Sequence, residues 1–201
     1  MSIAVALILA AVQPGSASAA VQKTTDQVRA AMQRYVKAQG EGRIKAREDA
    51  RATVGRLLDF DVLARSTLGK KWSDLKPAEQ KRYVAALRGA MEANYLVKMG
   101  KAKDEDVQQA KSEILGEETK DGKTVVKTRV KAGEDAASID YVMEKVPKGG
   151  WRAVDIVTEG VSLAENYRDQ VTRLLPKKGI EGVIAALDKK RKALESELDQ
   201  S

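Results

Sequence analysis

The spacing of apolar residues changes period twice along this chain, which restricts the fold more than any other property of the sequence. Up to Gly100 apolar residues recur at the three- and four-residue steps of a helix face. Between Val107 and Thr158 they alternate, as in a strand with one face covered, and beyond Gly160 the helical spacing returns. The second change is abrupt. In WRAVDIV, alternation puts Trp151, Ala153, Asp155 and Val157 on one face and Arg152, Val154 and Ile156 on the other, and a short glycine corner at Gly160 then leads into a helix.

The elements follow from these periods and from their stop signals. A first helix is predicted from an N-cap at Thr24 or Thr25, carrying Val28, Met32, Tyr35 and Val36 and ending at Gly40 and Gly42. A second runs from Arg43 to Leu58; its apolar side (Ile44, Val54, Leu57, Leu58) is thin, which predicts a peripheral position. Asp59-Phe60-Asp61 opens a short helix that Gly69 stops. Pro77 starts the next, with Val84, Leu87, Met91 and Tyr95 on one stripe that Leu96 and Met99 widen, and Lys101 to Asp106 reads as a loop. Strands are expected at Val107 to Glu118, Lys123 to Lys131, Ala137 to Lys145 and Trp151 to Thr158, with turns at Asp121-Gly122, Gly133-Glu134 and Lys148-Gly149-Gly150. Two helices follow, Ser162 to Leu175 and Ile180 to Leu194, separated by Pro176 and Gly179; the end of the chain is polar and reads as a frayed extension. The fold class is α+β, a four-stranded antiparallel sheet covered on one face by helices, around a packed core or a cavity.

Composition limits the chemistry. The 201 residues contain no Cys and no His, which removes disulfides, Ser-His-Asp and Cys-His nucleophilic sites and the usual zinc ligands. No metal site and no cofactor are expected. The net charge of +7, from 36 basic and 29 acidic residues, is spread in mixed clusters, without the basic and aromatic platform or groove-reading motif of a nucleic-acid binder. Most of these charges read as solvated surface, and a minority are available to guide docking to anionic membranes or acidic partners. The apolar run Ile3 to Val12 followed by Ala17-Ser18-Ala19 reads as a secretory signal over residues 1–19, too short to span a bilayer, although no Lys or Arg precedes it. One domain over residues 20–190 and a polar tail over 191–201 complete the organisation.

Two blocks carry a family resemblance. The first is LLDFDVLARSTLGKKWSDLKPAEQKRYVAALRGAMEANY, Leu57 to Tyr95, and the second is IDYVMEKVPKGGWRAVDIVTEGVSLAENYRDQVTRLLPKKGIEGVIAAL, Ile139 to Leu187. The chain resembles the MlaC family, the periplasmic component of a toluene-tolerance lipid ABC transport system, from Leu57 to Leu187. Every aromatic residue but Tyr35 falls in that stretch. Tyr83 stands where the family often has Phe, and Val171 where an aromatic commonly follows Asn-Tyr-Arg. The resemblance implies a curved sheet and helices enclosing a deep apolar cavity that holds phospholipid acyl chains. It also implies a periplasmic carrier, working as a monomer between an outer-membrane Mla lipoprotein complex and an inner-membrane Mla ABC transporter complex, that maintains outer-membrane lipid asymmetry.

Within that expectation the lipid-binding candidates are Leu87, Met91 and Tyr95 on the long helix, Tyr141 and Met143 on the sheet, and Leu163, Tyr167, Val171 and Leu174 on the following helix. Each also reads as ordinary core; the thioethers suit an adaptable wall. Asp155 and Arg168 are placed at the mouth, Arg168 on a headgroup phosphate and Asp155 in a polar network, against the alternative of a structural ion pair or capping contact. Ser162 with Glu165 has the spacing of a capping box. The chain reads as a non-enzyme. Two other classes remain: an isomerase-like enzyme with Asp155 as base and Tyr83 or Tyr141 as oxyanion donor, and a periplasmic adaptor or chaperone that binds protein segments.

Overall fold

The computed structural model describes residues 13–101, 104–146 and 150–199. The expected signal falls mainly on residues 1–12, outside the described residues, as does most of the turn expected at Lys148-Gly149-Gly150.

The described residues open on a helical hairpin. Helix α1 spans Ala17–Lys37 and is capped by Ser16, whose Oγ accepts from the Ala19 amide at 3.0 Å. It therefore starts well before the expected Thr24 or Thr25. Those threonines turn their hydroxyls back onto the carbonyls of Ala20 and Gln22 at 2.9 and 3.0 Å, an arrangement compatible with a helix interior. The first turn of α1 is docked: Ala17 and Val21 are buried, and Ser18 donates from both its amide (2.9 Å) and its hydroxyl (2.6 Å) to Glu117. Helix α2, Glu41–Leu57, buries Ala46, Ala50, Thr53 and Leu57, while Ile44, expected on its apolar side, is exposed.

Asp59 caps α3 (Phe60–Leu68), its Oδ1 accepting from Val62 N at 3.0 Å, and Asp59 N donates to Ala153 O at 2.9 Å, which fastens the start of α3 to the sheet. A 3-10 turn over Gly69–Asp74 leads to α4, Pro77–Gly100, with Pro at its start and Glu79 accepting from the Lys76 amide at 2.7 Å. The segment expected to begin the first strand is instead a short helix, α5, Asp104–Gln109. Its acidic first turn favours the positive helix end, and Val107 is buried as a helical residue.

The sheet has five antiparallel strands in sequential order: β1 Lys111–Lys120, β2 Lys123–Ala132, β3 Asp135–Lys145, β4 Trp151–Thr158 and β5 Val161–Ser162. Asp121 and Gly122 both have positive φ in the β1–β2 turn, as the tight hairpin signal requires. The fifth strand was not expected because it has only two residues; Glu159 and Gly160, again with positive φ, fold it back onto β4.

A register shift changes the reading of β4. Val142 pairs with Asp155 but Met143 pairs with Ala153, so Val154 is the extra residue of a bulge. Directly opposed residues share a sheet face, so Ala153 and Ile156 lie with Met143 and Tyr141 on the core side, while Asp155 lies with Val142 on the other. Asp155 is therefore not on the face of Ala153, contrary to strict alternation.

Helix α6, Leu163–Asp199, consists of two arms joined at Gly179 (φ 61°, ψ −176°). The helix passes Pro176 before it breaks, and its second arm continues to Asp199, beyond the expected end at Leu194. The polar tail is thus largely helical. Leu198 is buried against the end of α4, and Arg51 and Lys101 pair with Glu195 and Glu197 at 3.3 and 2.8 Å. Among the described residues no helix is long and apolar enough to cross a membrane.

Candidate functional site

The larger apolar cluster lies between the core face of the sheet and helices α3, α4 and α6, with the start of α1 closing one side. Helical spacing on α4 brings Leu87 and Met91 to it, the same spacing on α6 brings Tyr167 and Val171, and the two-residue step of β3 brings Tyr141 and Met143. All six are buried together, and Leu163 and Leu174 pack against them half-buried. Tyr95 does not join this group. It packs against a second, smaller cluster formed by Ala31, Ala50, Leu96, Val97, Met99 and Leu198 at the far end of α4. Each fully buried Leu, Val or Met contributes roughly 1.5–3 kcal/mol to the closed form.

Sequence reasoning missed part of this wall. Val183, Ile184 and Leu187 on the second arm belong to the larger cluster; their helical spacing is legible in the sequence, but no lipid-binding candidate falls on that arm. Val126 and Ala153 also face in, and β2 places Thr124 and Thr128 beside Val126. Both hydroxyls are satisfied, Thr124 with Thr119 Oγ1 at 2.9 Å and Thr128 with Ile139 O at 2.6 Å.

The tyrosines are the polar groups of this interior. Burial pushes the phenols of Tyr141 and Tyr167 up to about 12, and that of Tyr95 further. Tyr83 also rises to about 12 through burial, an effect opposed by its 2.7 Å hydrogen bond with Thr67. Every one of these phenols is neutral at physiological pH.

Asp155 and Arg168 have separate structural partners. Asp155 Oδ1 accepts from Ile156 N (2.8 Å) and Ala164 N (2.9 Å), and Oδ2 accepts from Ser162 Oγ (2.6 Å). Ser162 Oγ in turn accepts from Glu165 N at 3.0 Å, so together the two side chains cap the start of α6. Arg168 is exposed and donates from Nε to Ser66 O at 2.9 Å, in the last turn of α3, where a cation is favoured. No Asp155–Arg168 pair forms. Asp155 is thus engaged as an acceptor from three donors, and Tyr83 is bonded to Thr67. Among the described residues no three acidic side chains gather around a metal position.

Two surface grooves lie outside this cluster, one of about 420 Å³ bordered by Arg65, Trp72, Lys81 and Arg88, the other of about 470 Å³ along Ala30, Arg34 and Ala38. None of the expected lipid-binding residues lines either. The candidate site is the apolar layer between sheet and helices, where side chains from β3, α4 and α6 meet.

A family model for the MlaC protein matches residues 22–189, most of the chain. The chain belongs to the MlaC family. Among solved structures it is similar to a phospholipid-binding protein from Ralstonia solanacearum, determined in complex with a phospholipid. The two share 22% identity with a TM-score of 0.72, over 90% of this chain and 99% of the other. The α+β architecture with its antiparallel sheet is shared with that neighbour.

Proposed function

We propose that this MlaC-family protein is a periplasmic phospholipid carrier. The observation that carries the reading is the layer in which Leu87, Met91, Tyr141, Met143, Tyr167 and Val171 converge from three elements, in a fold whose structural neighbour holds a phospholipid. Two acyl chains of about 30 methylenes in all, at ~0.8 kcal/mol each, would cost on the order of 25 kcal/mol to expose to water. A carrier must therefore take the chains into its interior, and here they enter between α4, α6 and β3 by parting these side chains, with Leu163 and Leu174 at the border. Met91 and Met143 suit a wall that repacks around different chains. Tyr95 extends the wall toward the second cluster.

The protein works as a monomer, receiving lipid at an outer-membrane Mla lipoprotein complex and exchanging it with an inner-membrane Mla ABC transporter, and so maintains outer-membrane asymmetry. Residues 1–19 direct export and are removed after Ala19, which takes away the Ser16 cap and the Ser18–Glu117 contact and leaves α1 of the mature protein to begin at Ala20; N-terminal sequencing of periplasmic material is expected to begin there. The carrier activity is tested by transfer of fluorescent phospholipid from donor to acceptor vesicles. Catalytic amounts of the protein should accelerate transfer without vesicle fusion, and a rate equal to that of vesicles alone contradicts the proposal.

A further inference from the structure

One part of the interior carries polar groups that neither the fold nor the apolar wall employs. Lys190 lies on the second arm of α6 between Leu187, which belongs to the larger cluster, and Leu194, which packs on the smaller. Its ammonium stands 4.9 Å from the centroid of the Tyr167 ring. Tyr167 is 2% exposed, yet its hydroxyl has no hydrogen-bond partner among the described residues. A cation resting on an aromatic face explains the ring contact. It does not explain a phenolic O–H buried without an acceptor, which native interiors rarely leave unmet. Tyr95, three residues before Lys98 on α4, and Tyr141 also make no hydrogen bond among the described residues.

The charges nearby sharpen the point. Arg191 pairs with Asp188 and Glu195, and Lys101 with Glu197. Lys190 and Lys98 have no acid partner among the described residues; burial and the charge of Lys98 both lower the pKa of Lys190. A half-buried ammonium that faces a second cation and no carboxylate is stabilised by an incoming anion. A phosphate diester supplies that charge and also acceptor oxygens for a phenol.

We propose that Lys190 and the hydroxyl of Tyr167, with Lys98 as second cation and Tyr95 and Tyr141 as further donors, anchor the phosphate group of the bound lipid. This rests on the carrier reading above and gives it a ligand class: glycerophospholipids in preference to neutral diacylglycerol. The lysine acts as a point charge, so the anchor accepts different headgroups beyond the phosphate.

The test loads delipidated full-length protein from vesicles containing either phosphatidylglycerol or diacylglycerol, comparing wild type with Lys190→Gln and Tyr167→Phe. Lys190→Gln should weaken phosphatidylglycerol uptake about 10-fold, the loss of one charge-assisted contact, and leave diacylglycerol uptake unchanged. Tyr167→Phe should lower phosphatidylglycerol uptake without lowering the Tm of the delipidated protein, because its hydroxyl has no partner there. Equal loading of both lipids by all three proteins overturns the anchor, as does a parallel loss of both lipids or a fall in Tm for Tyr167→Phe. A wild type that takes up neither lipid defeats the carrier reading itself. Millimolar inorganic phosphate distinguishes the source: a rise in wild-type Tm that Lys190→Gln abolishes, with lipid uptake unchanged, assigns the anion to free phosphate and overturns the lipid anchor.

Discussion

Asp155 shows how one side chain can set the geometry of an entire corner. Its two oxygens hold Ile156 N, Ala164 N and Ser162 Oγ, tying β4, β5 and the first turn of α6 together. Replacing it with Ala removes three contacts to a charged acceptor, and Asp155→Ala is expected to destabilise the delipidated protein by about 3 kcal/mol in urea denaturation. A change below about 1 kcal/mol would mean that the corner holds without it. The tyrosines make a second prediction, with a definite sign. Burial raises the folded-state values of Tyr83, Tyr141 and Tyr167 from 10.0 to about 12. Their contribution is complete below the unfolded value and is lost as pH rises through the folded one. Thermal melting should therefore show a Tm that falls between pH 10 and pH 12, and a flat profile there would show these phenols to be accessible. At this scale the sequence was partly legible. The capping role of Ser162 followed from its spacing to Glu165, but the face of Asp155 did not, because period-2 alternation has no signal for the bulge at Val154.

Among the elements, α4 and β3 were read correctly as helix and strand because their apolar residues keep one period, although the stripe of α4 passes from the larger cluster to the smaller at Tyr95. Leu87 and Met91 follow the four-residue step, Tyr141 and Met143 the two-residue step, and both pairs reach the same cluster. Elements whose position depends on tertiary partners were misplaced. The early start of α1 is secured by Ser18 on Glu117, a contact between residues distant in sequence, and β5 is too short to show a period. The end of the second arm beyond Asp188 reads as polar because Leu194 and Leu198 are widely spaced apolar residues in a charged stretch, which also hides Lys190. Since α4 forms one wall of the layer, Met91→Trp should lower co-purified phospholipid by at least half while the far-ultraviolet spectrum keeps its helical content, the added ring taking space the chains require. Wild-type lipid content in a folded Met91→Trp protein would remove Met91 from the wall.

At the scale of the molecule, the proposed function requires the apolar layer to serve two states. In the closed form it is a hydrophobic core, built from sheet, α4 and both arms of α6; in the carrier it must also admit acyl chains without exposing them. Both arms of α6 pack on the larger cluster and only the end of the second reaches the smaller one, and Lys190, between Leu187 and Leu194, sets its ammonium on the Tyr167 ring where the two clusters succeed each other along the helix. Lipid that binds the folded chain and not the unfolded one also stabilises it by mass action, so loaded protein should melt above delipidated protein. The fold class was legible in the sequence because helices, meander and helices occur in that order, whereas the junction was not, since it depends on how the two clusters meet. The most direct measurement is organic extraction of protein purified from its native periplasm, followed by lipid mass spectrometry and phosphorus quantitation. The account predicts phospholipid in near-stoichiometric amount, retained through gel filtration and reduced in Met91→Trp; folded, lipid-free wild type from that source would contradict it.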